Sequence, residues 1–287
     1  MYTHKGHIFI ISFFLLWSCS DKEDAIMKYN SNLSFLCGMN TIQTKGYTQF
    51  SNGNTAAIYS FTVGDISYFC GGTPMNTTAS YYGLLIPDYP IYLPNGCYDF
   101  YSVSINTPSF NGLSFSNGRS GDMSNGKDYL WAANKGYNLH NGGVVNFLYN
   151  HVACQVKLRI AGNTRITNLS VNHVNYTLPA TSGVKIDLST GVVTMASSLE
   201  APGIIQGNGN SRSFICLPCS IPMQIEFDIN ATIDGDSVFG KIYKGTLSQQ
   251  LIGGYSYDII LNLNPDNTFA TTCNIIPWQT IVDNITY

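Results

Sequence analysis

"FLYNHVACQVKLRI", residues 147–160, carries the pattern that decides the fold. From Val152 onward, Val152, Cys154, Val156, Leu158 and Ile160 fall on one side of an extended chain. Gln155, Lys157 and Arg159 fall on the other. Successive side chains of a strand point to opposite faces, whereas a helix repeats every 3.6 residues. The stretch therefore reads as a strand with one apolar and one polar face.

The same two-residue period recurs downstream. Met223, Ile225, Phe227 and Ile229 alternate with Gln224, Glu226, Asp228 and Asn230. Tyr255, Tyr257, Ile259, Leu261 and Leu263 alternate with Ser256, Asp258, Asn262 and Asn264, and Ile260 breaks the rule. "GVKIDLSTGVVTM" (183–195) reads as strand, tight turn, strand. Asn-Gly occurs at 52–53, 95–96, 111–112, 117–118, 125–126, 141–142 and 208–209. Asn-Gly favours the left-handed turns that join antiparallel strands. No amphipathic helical run of any length interrupts this pattern. The fold class is all-β, built as β-sandwiches with mostly antiparallel strands.

Composition agrees. Hydrophobic residues make up 44% of the 287, enough for a packed core rather than a disordered chain. Charged residues are 11%, well under the usual quarter or so, and Asn, Ser, Thr and Gly take their place. Aromatics are 13%, led by 19 tyrosines, which suits strands. Net charge is -3, and basic residues cluster nowhere beyond "QVKLR". A nucleic-acid partner calls for a basic patch or stripe, so that class is excluded.

The N-terminus has the order of an export signal: basic "MYTHKGH", then apolar "IFIISFFLLW". That run is shorter than the roughly 20 residues a membrane-spanning helix needs. Leu16-Trp17-Ser18-Cys19 resembles a bacterial lipobox, in which the cysteine sulfur takes a diacylglyceryl group and becomes the first residue of the mature chain. Each buried methylene contributes about 0.8 kcal/mol, and more than one chain makes attachment stable. The run after it, Ser20 to Asp24, resembles the acidic tag of outer-surface lipoproteins; its plainer reading is a solvated linker. Residues 1–18 are thus expected as a signal peptide and 19–40 as a lipidated tether leading into the first strand. Residues 41–165 form an N-terminal sandwich and 166–287 a C-terminal one, divided at the polar "AGNTRITN" (161–168). The expected location is the outer membrane, lipid-anchored, at the cell surface.

No constellation for catalysis emerges. Cys216-Leu217-Pro218-Cys219 has redox or half-zinc spacing, yet it leads into a strand rather than a helix N-terminus and lacks matched further ligands. It reads better as a strand end with two small apolar residues. With Cys19 lipidated, seven of the 8 cysteines remain, an odd number that cannot all pair within one chain. His140, His151 and His173 share no metal-ligand spacing, and Asp99, Asp128, Asp187, Asp234 and Asp236 are dispersed, which turn capping explains. No cofactor and no enzyme activity are expected.

Four stretches in order resemble the Bacteroidetes fimbrillin-like family: "TKGYTQFSNGNTAAIYSFTVGD" (44–65), "YPIYLPNGCYDFYSVSIN" (89–106), "DYLWAANKGYNLHNGGVVNFLYNHVACQVKLRI" (128–160), and "GYSYDIILNLNPD" (254–266) with "IIPW" (275–278). The third is the most specific. The resemblance implies two transthyretin-like β-sandwich domains and a role as subunit or anchor of a type V pilus, contributing to adhesion. It implies partners as well: other fimbrillin subunits, joined by strand addition, and the outer membrane, through lipid. A host or bacterial surface ligand is a further expected partner. In shaft subunits of the family a protease removes the N-terminal segment with its first strand, and a C-terminal strand of the next subunit fills the groove. Thr44-Lys45 stands where the family has Thr-Arg, which marks Lys45 as the processing point. In "IIPWQTIVDNITY" (275–287) a donor strand would present Ile276, Trp278 and Val282 on one face, or Ile281 and Ile285 on the other. The segment reads equally as an ordinary last strand. A competing function is a surface lipoprotein that binds glycans on exposed rings, with Trp131 and Trp278 as candidates.

Overall fold

The computed structural model describes residues 33–39, 50–67, 69–70, 74–89, 92–109, 113–140, 142–205 and 209–278. The strands run in the order β1 (Leu33–Met39), β2 (Thr55–Thr62), β3 (Met75–Ala79), β4 (Leu84–Pro87), β5 (Gly96–Ser104), β6 (Phe115–Ser116), β7 (Arg119–Ser120), β8 (Leu130–Leu139) and β9 (Gly143–His151). They continue as β10 (Cys154–Gly162), β11 (Ile166–Tyr176), β12 (Gly203–Ile204), β13 (Ser211–Cys216), β14 (Met223–Ile233), β15 (Asp236–Leu247), β16 (Tyr255–Leu263) and β17 (Phe269–Pro277). A single 3-10 turn, Tyr81–Gly83, is the only helical element among the described residues. The fold is all-β, as its alternation and turn residues dictate.

The strands form two groups. The first closes on itself as a barrel in the order β1-β4-β3-β2-β5-β8-β9. Its neighbours are antiparallel except at the seam. There β1 runs parallel to β9 from Leu33↔Gly143 to Met39↔Tyr149, and meets β4 antiparallel through Phe35↔Leu85 and Leu36↔Leu84. Closure removes the unpaired backbone edge that an open sheet exposes. Phe35, Ile58, Phe100, Leu130, Phe147 and Tyr149 fill the interior. The second group is two four-stranded sheets, β13-β10-β16-β17 and β12-β11-β14-β15. The alternating residues of β10, β14 and β16 face one another between them as a single apolar cluster.

Two features differ from the sequence reading. Residues 33–39 are a barrel strand rather than tether. Leu33, Phe35, Cys37 and Met39 alternate, but Leu36 falls out of phase and masks the period. Strand pairing passes from the barrel to the second group between His151 and Cys154, ahead of the division drawn at 161–168. β10 pairs with β13 and, in parallel, with β16, so the most legible strand belongs with the second group and not with the barrel.

β2 and β5 are buried on both faces, which is why "TAAIYSFT" shows no polar alternation. Ala56 and Ile58 point into the barrel. Ala57, Tyr59 and Phe61 point outward, where Leu188, Phe115 and Trp131 cover them. Leu188 sits in the turn of "GVKIDLSTGVVTM", whose arms pair through Ile186↔Val193. This turn presses the later part of the chain onto the outer wall of the barrel. A third cluster, including Val152, Ala153, Leu217, Cys219 and Trp278, completes the join.

Candidate functional site

At the seam of the barrel, β1 lies between a parallel neighbour, β9, and an antiparallel one, β4. Phe35, Cys37 and Met39 of β1 point inward and are buried. The Phe35 ring stacks on Phe147 at 6.0 Å and meets Phe100 edge-on at 5.9 Å. Burial pushes the Cys37 thiol up to about 12, so it stays protonated, and it donates to the Gly83 carbonyl at 3.2 Å. Gly83 has a left-handed φ of 75°, and a Cβ there would run into the Cys37 carbonyl oxygen. Without β1, the flanking strands β9 and β4 would each expose a row of backbone groups beside an apolar channel, a template for another strand. The sequence reading missed these residues. The spacing of Leu33, Phe35, Cys37 and Met39 is a partial signal of the strand, blurred by Leu36, and it does not reveal the partner β9.

Cys19, Lys45 and Val282 lie outside the described residues, as do Ile281 and Ile285. The structure therefore places two of the named donor residues, and it places them apart. Ile276 is in β17, the edge strand of its sheet, opposite Ser256 and largely exposed. Trp278, just past the strand, is buried. Its backbone N–H donates to the Gly254 carbonyl at 2.7 Å, and its ring stacks on His151 at 4.0 Å with 11° between planes.

His151 in turn holds Asp128. Its Nδ1 lies 2.6 Å from the Asp128 carboxylate, whose other oxygen accepts from Asn106 at 2.8 Å. Asn106 accepts from Asn54 at 2.8 Å. Chain folding assembles this polar string, and its separation in sequence hides it. The pair holds the His151 ring in place, and the stack of that ring on Trp278 links the barrel to the second strand group.

The other candidates take structural roles. Cys216 and Cys219 are buried where β13 ends, and desolvation pushes both thiols up, opposite to the activated thiolate of a redox pair. Asp99 accepts from the backbone of Gly64 and Gly136, and Asp234 forms a two-pronged pair with Arg165 at 2.6 Å. Among the described residues, no three His, Cys, Asp or Glu side chains are grouped to hold a metal. Of the tryptophans named for sugar stacking, Trp278 is buried with one face on His151, whereas Trp131 is half-buried: it donates its indole N–H to the Leu188 carbonyl at 2.8 Å, lies against Gly191 and lines a surface pocket with Thr190 and Val192.

Residues 43–278 match the model of the fimbrillin-like family. Among solved structures, the chain is similar to a proposed cell adhesion protein from Bacteroides uniformis, with 14% identity over 87% of this chain and 100% of the other and a TM-score of 0.63. It is similar to a fimbrial protein from Bacteroides vulgatus, with 10% identity, 86% and 100% covered and a TM-score of 0.52. It is also similar to the tip fimbrial protein Mfa3 from Porphyromonas gingivalis with C-terminal truncation, with 8% identity, 86% and 99% covered and a TM-score of 0.51. At these identities the likeness is one of fold. No curated protein matches the chain. The family pattern spans most of the sequence, from the segment after β1 to Trp278, and the chain belongs to the fimbrillin-like family.

Proposed function

We propose that the chain is a structural subunit or anchor of a cell-surface fimbria, joined to its neighbours by strand exchange and contributing to adhesion. The observation that carries this reading is the seam. β1 supplies the strand that completes the barrel, it stands ahead of Lys45, and its inward residues Phe35, Cys37 and Met39 fill part of the core. Cleavage at Lys45 would detach β1 from the rest of the chain. The channel left behind would accept an alternating strand from another subunit, with backbone hydrogen bonds giving affinity and side-chain pockets giving register. Lipid on Cys19 would hold an uncleaved chain at the outer membrane as an anchor.

The test is the N-terminal sequence and assembly state of the protein taken from its native cell surface. A chain starting at Gly46 in an SDS-resistant ladder is a processed shaft subunit. A chain starting at acylated Cys19 within a fimbrial complex is an anchor. A lipidated monomer with no fimbrial partner removes the fimbrial reading.

A further inference from the structure

We infer that the outward side of β4, with the tyrosines at its two ends, is a binding surface for an uncharged polysaccharide. Tyr81 and Tyr82 stand before β4 and are 75% and 87% exposed; Tyr89 and Tyr92 stand after it and are 82% and 50% exposed. Between them Leu84 and Ile86 point outward while Leu85 is sealed in the barrel. Thr78, directly opposite Ile86 on β3, adds an exposed hydroxyl.

The rings are presented by backbone that is held in place. Ser80 N–H donates to the Leu84 carbonyl at 2.7 Å, closing the loop that carries Tyr81 and Tyr82. Gly83 braces that loop on Cys37 of β1. At the other end Asp88 N–H donates to Asn76 at 3.0 Å, and Leu93 is buried in the barrel core beside Tyr92.

Tyr82 is the sharpest observation. Its φ is 60° and its ψ 21°, the left-handed region that glycine and asparagine tolerate and a bulky side chain resists. Strain of this kind persists at ligand clamps because the residue is needed for something other than folding. With its ring almost wholly in solvent, Tyr82 has little to do for its own barrel.

The chemistry selects the partner. From residue 46 to residue 118, the segment that carries β2 to β5 and all four tyrosines, the sequence holds no lysine, arginine or histidine, so this segment offers an anionic chain no positive charge. Within residues 81–92 the one charged side chain is Asp88. What remains is rings with an apolar face and a hydroxyl tip, set among neutral donors and acceptors. That combination gives rigid, amphipathic contact area at low entropic cost. It fits a polyhydroxylated, uncharged ligand lying along the strand. A second copy of the chain fits less well. β4 has four residues, about 13 Å of strand, whereas a stable protein interface buries about 800 Å² on each partner.

The experiment is affinity electrophoresis of the full-length chain in detergent through gels containing mannan, dextran or arabinogalactan, with heparin as the anionic control. Migration should slow in at least one neutral gel and not in heparin. Tyr82→Asn and Tyr89→Ala should each weaken that binding at least tenfold. Tyr82→Asn should also leave Tm unchanged or raise it, since asparagine accepts the left-handed backbone. The proposal fails if no neutral polysaccharide slows the chain, if only heparin does, or if the two variants bind as well as the parent. A concentration-dependent dimer in sedimentation that disappears in Tyr82→Asn would overturn it in favour of a self-association surface.

Discussion

β1 has strands on both sides and its inward side chains sealed inside a barrel, whereas β17 has one neighbour and side chains that mostly face solvent. Both carry large apolar residues. Phe35 is fully buried, but Ile275 and Ile276 remain 43% and 44% exposed. Apolar content therefore does not measure what a strand contributes; the number of its neighbours does. A strand that closes a barrel removes two edges and covers a core. One that hangs at the rim of a sandwich adds a single ladder and leaves its own outer edge unpaired.

Substitution should expose that contrast directly. Phe35→Ala removes a ring packed on Phe100 and Phe147 and should cost about 3–5 kcal/mol in urea unfolding. Ile276→Ala, on an exposed face of β17, should stay within about 0.5 kcal/mol. Equal losses at the two positions would mean that β1 is not part of the barrel's cooperative unit.

Some of this was legible in the sequence. β10, β14 and β16 announce themselves because each has one face in the core and one nearer solvent, so burial imposes a visible period of two. β2 and β5 hide because both faces are covered, and continuous burial leaves no polar residues to mark a phase. β1 hides for another reason. Its burial depends on β9, more than a hundred residues later, and no local pattern encodes that pairing. The stack of Trp278 on His151, and the polar contact of His151 with Asp128, are likewise products of long-range folding. The tyrosines around β4 were readable. All four lie in "YYGLLIPDYPIY" (81–92), though only the fold shows that their rings point away from the core.

A second substitution tests how β1 is held without touching β1. Gly83→Ala places a methyl group against the Cys37 carbonyl and forces a side chain into a left-handed backbone. Such a change should destabilise by more than about 1 kcal/mol. It should also loosen the seam selectively. Alkylation of Cys37, which burial protects in the parent, should accelerate in the variant, while alkylation of exposed Cys97 should not change. A loss of stability with Cys37 still protected would place the damage in the loop and not at the seam.

The smallest expected effect concerns the join between the two regions that hold β1 and β17. The turn that carries Leu188 onto the barrel is organised by one carboxylate oxygen of Asp187. That oxygen accepts from the backbone of Ser189 at 3.0 Å and of Thr190 at 3.1 Å, and from their hydroxyls at 2.7 and 3.1 Å. Partial burial alone would raise the Asp187 pKa, but these four donors outweigh it and hold the carboxyl below its ordinary value of 3.8. A carboxylate whose folded pKa is lowered stabilises the fold above the unfolded value, and that stabilisation is lost as pH falls through the folded one. Asp187→Asn keeps an acceptor but loses the charge, and should cost about 1 kcal/mol at pH 7. The gap in Tm between parent and variant should stay constant down to about pH 4 and close below it. A gap that persists unchanged to pH 2 would show that the turn depends on the shape of the Asp187 side chain and not on its charge. The turn would then be held on the barrel wall by Leu188 and its apolar neighbours without help from the charge.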